Sequence, residues 1–136
     1  MVSRDSVRIC LLAAALNDLD VQAGDIENAY LTAPNREKKW TRAGPEFGAD
    51  EGKIFIVTKA LYGLKSAGAA FRAFLAERLD EMGFRSSTAD PDVRLRPATK
   101  PDGEENYEYL LIYVDDILAI SIKAKEVMLE IVERFN

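Results

Sequence analysis

The segment from Tyr109 to Ile120 has the sequence YLLIYVDDILAI, and the other elements are interpreted in relation to it. Its two apolar arms are rich in β-branched and aromatic residues, which favour strands, and they flank the adjacent carboxylates of Asp115 and Asp116. The pattern predicts a β-hairpin with both acids at its tip. A plain turn is a poor explanation because two-residue hairpin turns favour glycine, and no glycine follows Gly103.

Two adjacent carboxylates between buried strands repel each other by roughly 4 kcal/mol at about 4 Å and an effective dielectric near 20. A divalent cation bound between them would remove this cost. The residues alone therefore leave two interpretations open, a metal site and a solvated turn.

Composition limits the chemistry that such a site could serve. The 136 residues are 48% hydrophobic, which predicts a single compact domain over residues 1–136. The net charge of −5 argues against a free-standing nucleic-acid binder. Cys10 is the one cysteine, so disulfide scaffolds are excluded and we expect it in the core.

The sequence contains no histidine, which excludes serine-histidine catalysis and histidine-ligated zinc. Carboxylates, lysine, tyrosine and hard metals bound through oxygen remain available. No apolar run approaches about 18 residues, so we expect a soluble, intracellular protein without a membrane partner.

A third acid lies in an alternating segment near the start of the chain. Ser3 can cap a helix that runs to about Leu16, and residues 19–26 then alternate as a half-buried strand does. This alternation places Asp25 on the apolar face, where a carboxylate is costly without a partner. The alternative is that the strand ends one residue earlier and Asp25 caps the following turn.

The remaining elements follow from similar patterns. We expect a short strand at Trp40–Ala43, a buried strand at Ile54–Thr58 and a short strand at Val93–Arg96. Apolar periodicity predicts helices over residues 65–82 and from Ala124 to the last residues.

If the strand ending at Asp25 neighbours the hairpin, Asp25, Asp115 and Asp116 converge at one edge of an antiparallel sheet. Three carboxylates are suitable ligands for one or two Mg²⁺ ions, and such a site suits phosphoryl transfer. This argument leads to a nucleotidyl transferase, and a nucleotidyl cyclase remains an alternative.

Four motifs, in order along nearly the whole chain, resemble those of reverse transcriptases. YVDD at residues 113–116 is similar to their catalytic hairpin, and DIENAYL at residues 25–31 is similar to their first catalytic motif. LYGLK at residues 61–65, with AAF at residues 69–71, and STADP at residues 87–91 resemble the copia-type branch of long-terminal-repeat retrotransposons.

The resemblance implies an α+β fold, a polymerase palm-like antiparallel sheet with helices packed on one face. It also implies an RNA-directed DNA polymerase that adds dNTPs to a primer on an RNA or DNA template. Two Mg²⁺ ions, or Mn²⁺, would be held by Asp25, Asp115, Asp116 and the backbone carbonyl of Ile26.

The nucleotide side of the implied site comes from the other motifs. Tyr30 falls where the family places the aromatic residue under the nucleotide sugar, although an ordinary core aromatic would also fit. Tyr62, Gly63 and Lys65 fall in the segment beside the incoming nucleotide and template, although Lys65 could equally be a solvated helix-start residue.

Two positions depart from the copia-type pattern, because Gly68 replaces a usual proline and Phe71 a usual tryptophan. Compared with a complete enzyme of the family, the resemblance implies that these residues exclude most of the fingers and the thumb and RNase H regions. The resemblance thus implies part of a retroelement polyprotein, with those regions as partners and the cytoplasm or a virus-like particle as its location. The alternative is an inactive remnant or interaction module that retains the fold.

Overall fold

The computed structural model describes residues 1–135 and divides them into two compact units. The first contains residues 1–27 and 76–135, and the second contains residues 28–75. The secondary structure is α+β, as predicted, with antiparallel pairing in every strand pair among the described residues. No helix within residues 1–135 is both long and apolar enough to cross a membrane.

The first unit is built on a five-stranded antiparallel sheet with the order β1-β7-β6-β5-β4. Its strands are β1 (Asp20–Asp25), β4 (Arg85–Ser86), β5 (Val93–Thr99), β6 (Glu105–Tyr113) and β7 (Asp116–Ser121). The predicted hairpin is therefore the β6–β7 pair at the centre of the sheet, and the predicted strand that ends at Asp25 is its neighbour on one side.

Helix α1 (Arg4–Leu16) begins directly after Ser3, the residue predicted to cap it. The Ser3 side chain accepts a hydrogen bond from the backbone N–H of Ser6. Its buried side packs on one face of the sheet, where Cys10 and Ala14 join Leu111 and Ile120 in a hydrophobic core. The prediction that Cys10 is a core residue is confirmed.

Helix α4 (Ala124–Phe135) covers the opposite face, where Ile117 of β7 lies with Met128 and Ile131. Ile117 and Leu118 are consecutive and so point to opposite sides of the sheet. The prediction that the helices pack on one face is therefore wrong. Apolar residues follow one another directly in the second half of β6 and in β7, so they occupy both faces of the sheet. Both faces must then be covered.

The second unit contains α2 (Ala29–Thr32), β2 (Trp40–Arg42), a 3₁₀ helix (Pro45–Asp50), β3 (Ile54–Ile56) and the start of α3 (Ala67–Glu81). Strands β2 and β3 form a separate two-stranded antiparallel sheet. The prediction of a buried strand at residues 54–58 is wrong, since β3 is shorter and Ile54 and Ile56 are 58% and 75% exposed. A two-stranded sheet can bury only the face that packs against other residues.

Candidate active site

The three predicted acids lie at one end of the sheet in the first unit. Strand β1 continues through Asp25, so the alternative in which Asp25 caps a turn is wrong. Asp25 is the direct partner of Asp116 in the antiparallel pair of β1 and β7. Asp115 lies in the adjoining turn, and its carbonyl accepts a 3.0 Å hydrogen bond from the N–H of Ile26.

The tip of the hairpin differs from the prediction by one residue. Tyr113 pairs with Asp116, which leaves Val114 and Asp115 as the two turn residues and makes Asp116 the first residue of β7. Val114 has a φ of 59°. This left-handed conformation is uncommon for a β-branched residue, and glycine normally adopts it in two-residue hairpin turns.

All three acids line one open cavity of about 980 Å³ on the face of the sheet that α1 covers in part. Its floor is apolar, with Ala23, Leu111 and Leu118 among the lining residues. Arg4, at the start of α1, also lines it. No local pattern in the sequence brings residue 4 toward residue 25, and Arg4 reaches this cavity only because α1 packs on the sheet.

The donor set suits a hard divalent cation, since carboxylates and a backbone carbonyl offer only oxygen. Within residues 1–135, no group of three or more His, Cys, Asp or Glu side chains is arranged as a metal site. The chemistry of the donors fits Mg²⁺.

The other predicted site residues belong to the second unit. The rings of Tyr30 and Tyr62 are stacked, with centroids 4.4 Å apart and planes 22° apart. Phe71 of α3 contacts the ring of Tyr30 at 5.8 Å between centroids. Tyr30 is thus held between two aromatic side chains, while Tyr62 is 57% exposed.

Gly63 and Lys65 lie in the segment that precedes α3, which begins at Ala67 rather than at the predicted residue 65. The N–H of Leu64 donates to the carbonyl of Leu61 at 3.1 Å, and Gly63 has a φ of 92°. That φ is typical of the third residue of a type II turn, so glycine is the natural residue there. Lys65 is exposed. A Cβ added to Gly68 would lie 3.6 Å from the Tyr30 hydroxyl, an ordinary contact distance.

Comparisons with known proteins agree with the motifs. The family model for reverse transcriptase (RNA-dependent DNA polymerase) matches residues 1–135. The chain is 29% identical over 122 residues to the Retrovirus-related Pol polyprotein from transposon TNT 1-94 of Nicotiana tabacum, which covers 88% of this chain and 9% of that polyprotein. It is also 29% identical over 120 residues to the corresponding polyprotein from transposon RE1 of Arabidopsis thaliana, covering 87% of this chain and 8% of the relative.

The chain therefore spans less than a tenth of the length of these relatives. No solved structure matches it significantly. The plant transposon polyproteins support the resemblance to copia-like elements. Because the family match covers all of the described residues, the protein belongs to the reverse transcriptase (RNA-dependent DNA polymerase) family.

Proposed function

We propose that residues 1–136 form a palm domain of a copia-type retroelement reverse transcriptase, which transfers nucleotides from dNTPs to a primer 3′-hydroxyl on an RNA or DNA template. The observation that carries this proposal is the meeting of Asp25, Asp115 and Asp116 in one cavity, from two segments about ninety residues apart. A structural hairpin has no need of three carboxylates above an apolar floor, because their mutual repulsion is unfavourable.

Asp25, Asp115, Asp116 and the carbonyl of Ile26 would hold the two metal ions, with Mg²⁺ as the expected ion and Mn²⁺ as a substitute. Bound Mg²⁺ would make the primer 3′-hydroxyl a better nucleophile and stabilise the negative charge that develops on the leaving pyrophosphate. The hydrogen bond from the Ile26 N–H to the Asp115 carbonyl joins the two segments through their backbones.

The residues of the second unit would position the nucleotide. Tyr30, fixed by Tyr62 and Phe71, supplies a rigid ring that can lie under the sugar and exclude a 2′-hydroxyl. Lys65 would contact phosphate oxygens as a flexible point charge, and Gly63 would let the backbone approach the nucleotide closely. We propose the fingers, thumb and RNase H regions of the longer polyprotein as further partners, and the cytoplasm, including virus-like particles, as the location.

Primer extension on an RNA template tests the proposal. In a longer protein that restores the missing regions, Asp115→Asn should abolish extension because it removes one negative ligand while keeping the side-chain shape. Asp102→Asn, an exposed change in the β5–β6 turn, is the matched control and should leave extension unchanged. Unchanged extension by Asp115→Asn would refute the site assignment.

The same assay decides the alternative function. An inactive remnant would show no extension even with the wild-type acids, although the longer protein folds.

For Tyr30, replacement by alanine should allow ribonucleotides to be incorporated, whereas Tyr30→Phe should retain discrimination because the ring is kept.

A further inference from the structure

Helix α1 has large apolar side chains on the side that faces solvent as well as on the side that packs against the sheet. Cys10 and Ala14 are buried in the core of the first unit. Ile9, Leu12 and Leu16 lie on the other side of the helix and are 66%, 59% and 75% exposed. A helix that only covers a sheet normally has polar residues on that side, so the three exposed residues indicate an interaction surface.

The three exposed residues form one row along the helix. They are spaced by three and four positions, and residues at these spacings are neighbours on a helix surface. Rows of this kind pack between two helices, where each apolar side chain fits between residues of the facing helix. The sequence of α1 contains no lysine, and interface centres are depleted in lysine. We call the row of Ile9, Leu12 and Leu16 the Leu12 surface.

The Leu12 surface has opposite charges at its two ends. Arg8 lies beside its N-terminal end, with a side chain that is 71% exposed. Asp18 follows its C-terminal end and is also exposed. Arg8 is 3.8 Å from Asp5, but both side chains are largely exposed, and such a pair contributes little to stability. The guanidinium of Arg8 can therefore bind a second carboxylate.

The cation that interacts with Asp18 within the chain has another carboxylate of its own. Lys100 interacts with the charge of Asp18, but its ammonium group donates a 2.9 Å hydrogen bond to Glu104. Asp18 can therefore accept hydrogen bonds from a further cation.

We propose that the Leu12 surface binds the same surface of a second copy of the chain, with the two α1 helices antiparallel and a two-fold axis close to Leu12. In a symmetric dimer the same surface is used by both copies, so each contact occurs twice. The antiparallel arrangement brings the apolar rows together and places Arg8 of each copy near Asp18 of the other.

The direction of the side chains favours this arrangement. Side chains of a helix lean toward its N-terminus, so Arg8 extends away from Leu12 and toward the C-terminal end of an antiparallel helix. Asp18 of the other copy lies at that end. The dipoles of antiparallel helices also attract each other. A parallel pair would place Arg8 next to Arg8 and Asp18 next to Asp18, so the charges select the antiparallel dimer.

The same charge pattern favours a second copy over an unrelated protein. A surface with a cation at one end and an anion at the other is complementary to itself after a two-fold rotation. The residues of the Leu12 surface do not line the cavity that contains the three acids. The dimer therefore requires no polymerase chemistry, and its failure and that of the proposed function are distinguishable.

Sedimentation equilibrium of the full 136-residue chain, over concentrations from about 1 to 500 μM, tests the proposal. We expect a reversible dimer with a dissociation constant in the micromolar range, because contact between two short helices is at the low end of interface sizes. Leu12→Glu should raise the dissociation constant at least about tenfold, since it removes two apolar side chains and places two like charges at the axis. Leu129→Glu, which replaces a leucine of α4 that is 53% exposed, is the matched control and should dimerise as the wild type does.

Charge reversal tests the antiparallel orientation. Arg8→Asp and Asp18→Arg should each raise the dissociation constant by about three- to tenfold, because each places like charges opposite one another. The double variant should recover most of the wild-type affinity, since its charges are again opposite. Circular dichroism checks that every variant is folded, above all Asp18→Arg, because residue 18 has a φ of 53°.

Three results would overturn the proposal. One is a chain that remains monomeric at all concentrations, which would assign the Leu12 surface to a segment of a longer polyprotein. Another is a dimer that Leu12→Glu leaves unchanged or that Leu129→Glu disrupts, which would place the interface elsewhere. The third is a double charge variant that dimerises no better than the single variants, which would contradict the antiparallel contact between Arg8 and Asp18.

Discussion

Asp25 lies directly opposite Asp116 where β1 pairs with β7. Residues in this relationship have Cβ atoms about 4.5–5.5 Å apart, and like charges placed there destabilise a sheet. The pair therefore has a stability cost in the absence of a cation, and removal of that cost can be measured.

We predict that Asp116→Asn raises the free energy of unfolding by about 0.2–1 kcal/mol in EDTA, because it removes the repulsion with Asp25. The wild-type protein should become more stable when Mg²⁺ or Mn²⁺ is added, since a ligand that binds only the folded state stabilises it, and the variant should lose most of this response. Denaturant unfolding with and without metal measures both effects. Asp20→Asn, at the other end of β1 opposite Ser121, is the control and should keep the metal response. A wild-type protein insensitive to both metals would contradict the proposed ligand set.

Val114 should be replaceable by glycine with a gain in stability. Its φ of 59° is unfavourable for a β-branched side chain, and glycine adopts it without strain. We expect Val114→Gly to stabilise the protein by about 1 kcal/mol in denaturant unfolding. Val114→Ala is the control because it keeps a Cβ and should gain little. A Val114→Gly protein less stable than Val114→Ala would show that the turn is not strained.

Asp90 should make stability depend on acid pH. Its carboxylate accepts hydrogen bonds from the Ser6 hydroxyl at 2.6 Å and from the Ser3 N–H at 2.9 Å. The Ser6 bond first, and then the Ser3 bond, lower the pKa of Asp90 from about 3.8 to about 2. A lowered folded-state pKa means that the stabilisation is complete above about pH 4 and is lost as the pH falls toward 2.

Asp90→Asn should therefore be less stable than wild type at neutral pH, and the difference should shrink as the pH falls through about 2. Solvent screens this surface carboxylate and asparagine can still accept both bonds, so we expect a difference below about 1 kcal/mol. Urea unfolding at a series of pH values measures it. A difference that persists unchanged at pH 2 would mean that the charge of Asp90 is not responsible.

Arg96 connects the sheet to α4. It binds Glu130 through two hydrogen bonds of 3.0 Å, lies 4.2 Å from the Phe84 ring centre and is 3.4 Å from the buried carboxylate of Glu108. We predict that Arg96→Met destabilises the protein by about 3–5 kcal/mol, because the Glu108 charge would remain buried without its cation. The double variant Arg96→Met, Glu108→Leu should recover much of the loss. Denaturant unfolding of both variants tests this, and a double variant no more stable than Arg96→Met would contradict it.

Local patterns were sufficient to predict most elements of the fold. The Ser3 cap, the alternation from residue 19 and the apolar arms around Val114 each contain a signal within a few residues, and the corresponding helix and strands are present. The apolar stripe of α3 is likewise buried at Phe71 and Leu79. The prediction that Asp25 lies close to the hairpin acids needed one further assumption, that their strands pair. That pairing is confirmed.

What could not be predicted depends on contacts between distant residues. Propensity does not distinguish Ile54 in an exposed two-stranded sheet from isoleucine in a buried strand. The presence of Arg4 in the same cavity as the acids, and of Arg96 between Glu108 and Glu130, arises only when helices pack on the sheet. The same packing places α1 and α4 on opposite faces, which apolar periodicity alone does not decide.

Strand β1 stands at the end of the five-stranded sheet, so one side of its backbone can accept another strand. Asp20 and Asp25 mark its two ends, and negative charge at an exposed edge discourages strand addition from a second molecule. In addition to its proposed role as a metal ligand, Asp25 would thus reduce aggregation through the edge of β1. Neutralising it, by mutation or acid, should increase self-association, so a retroelement copy that lost this residue would also risk losing its solubility.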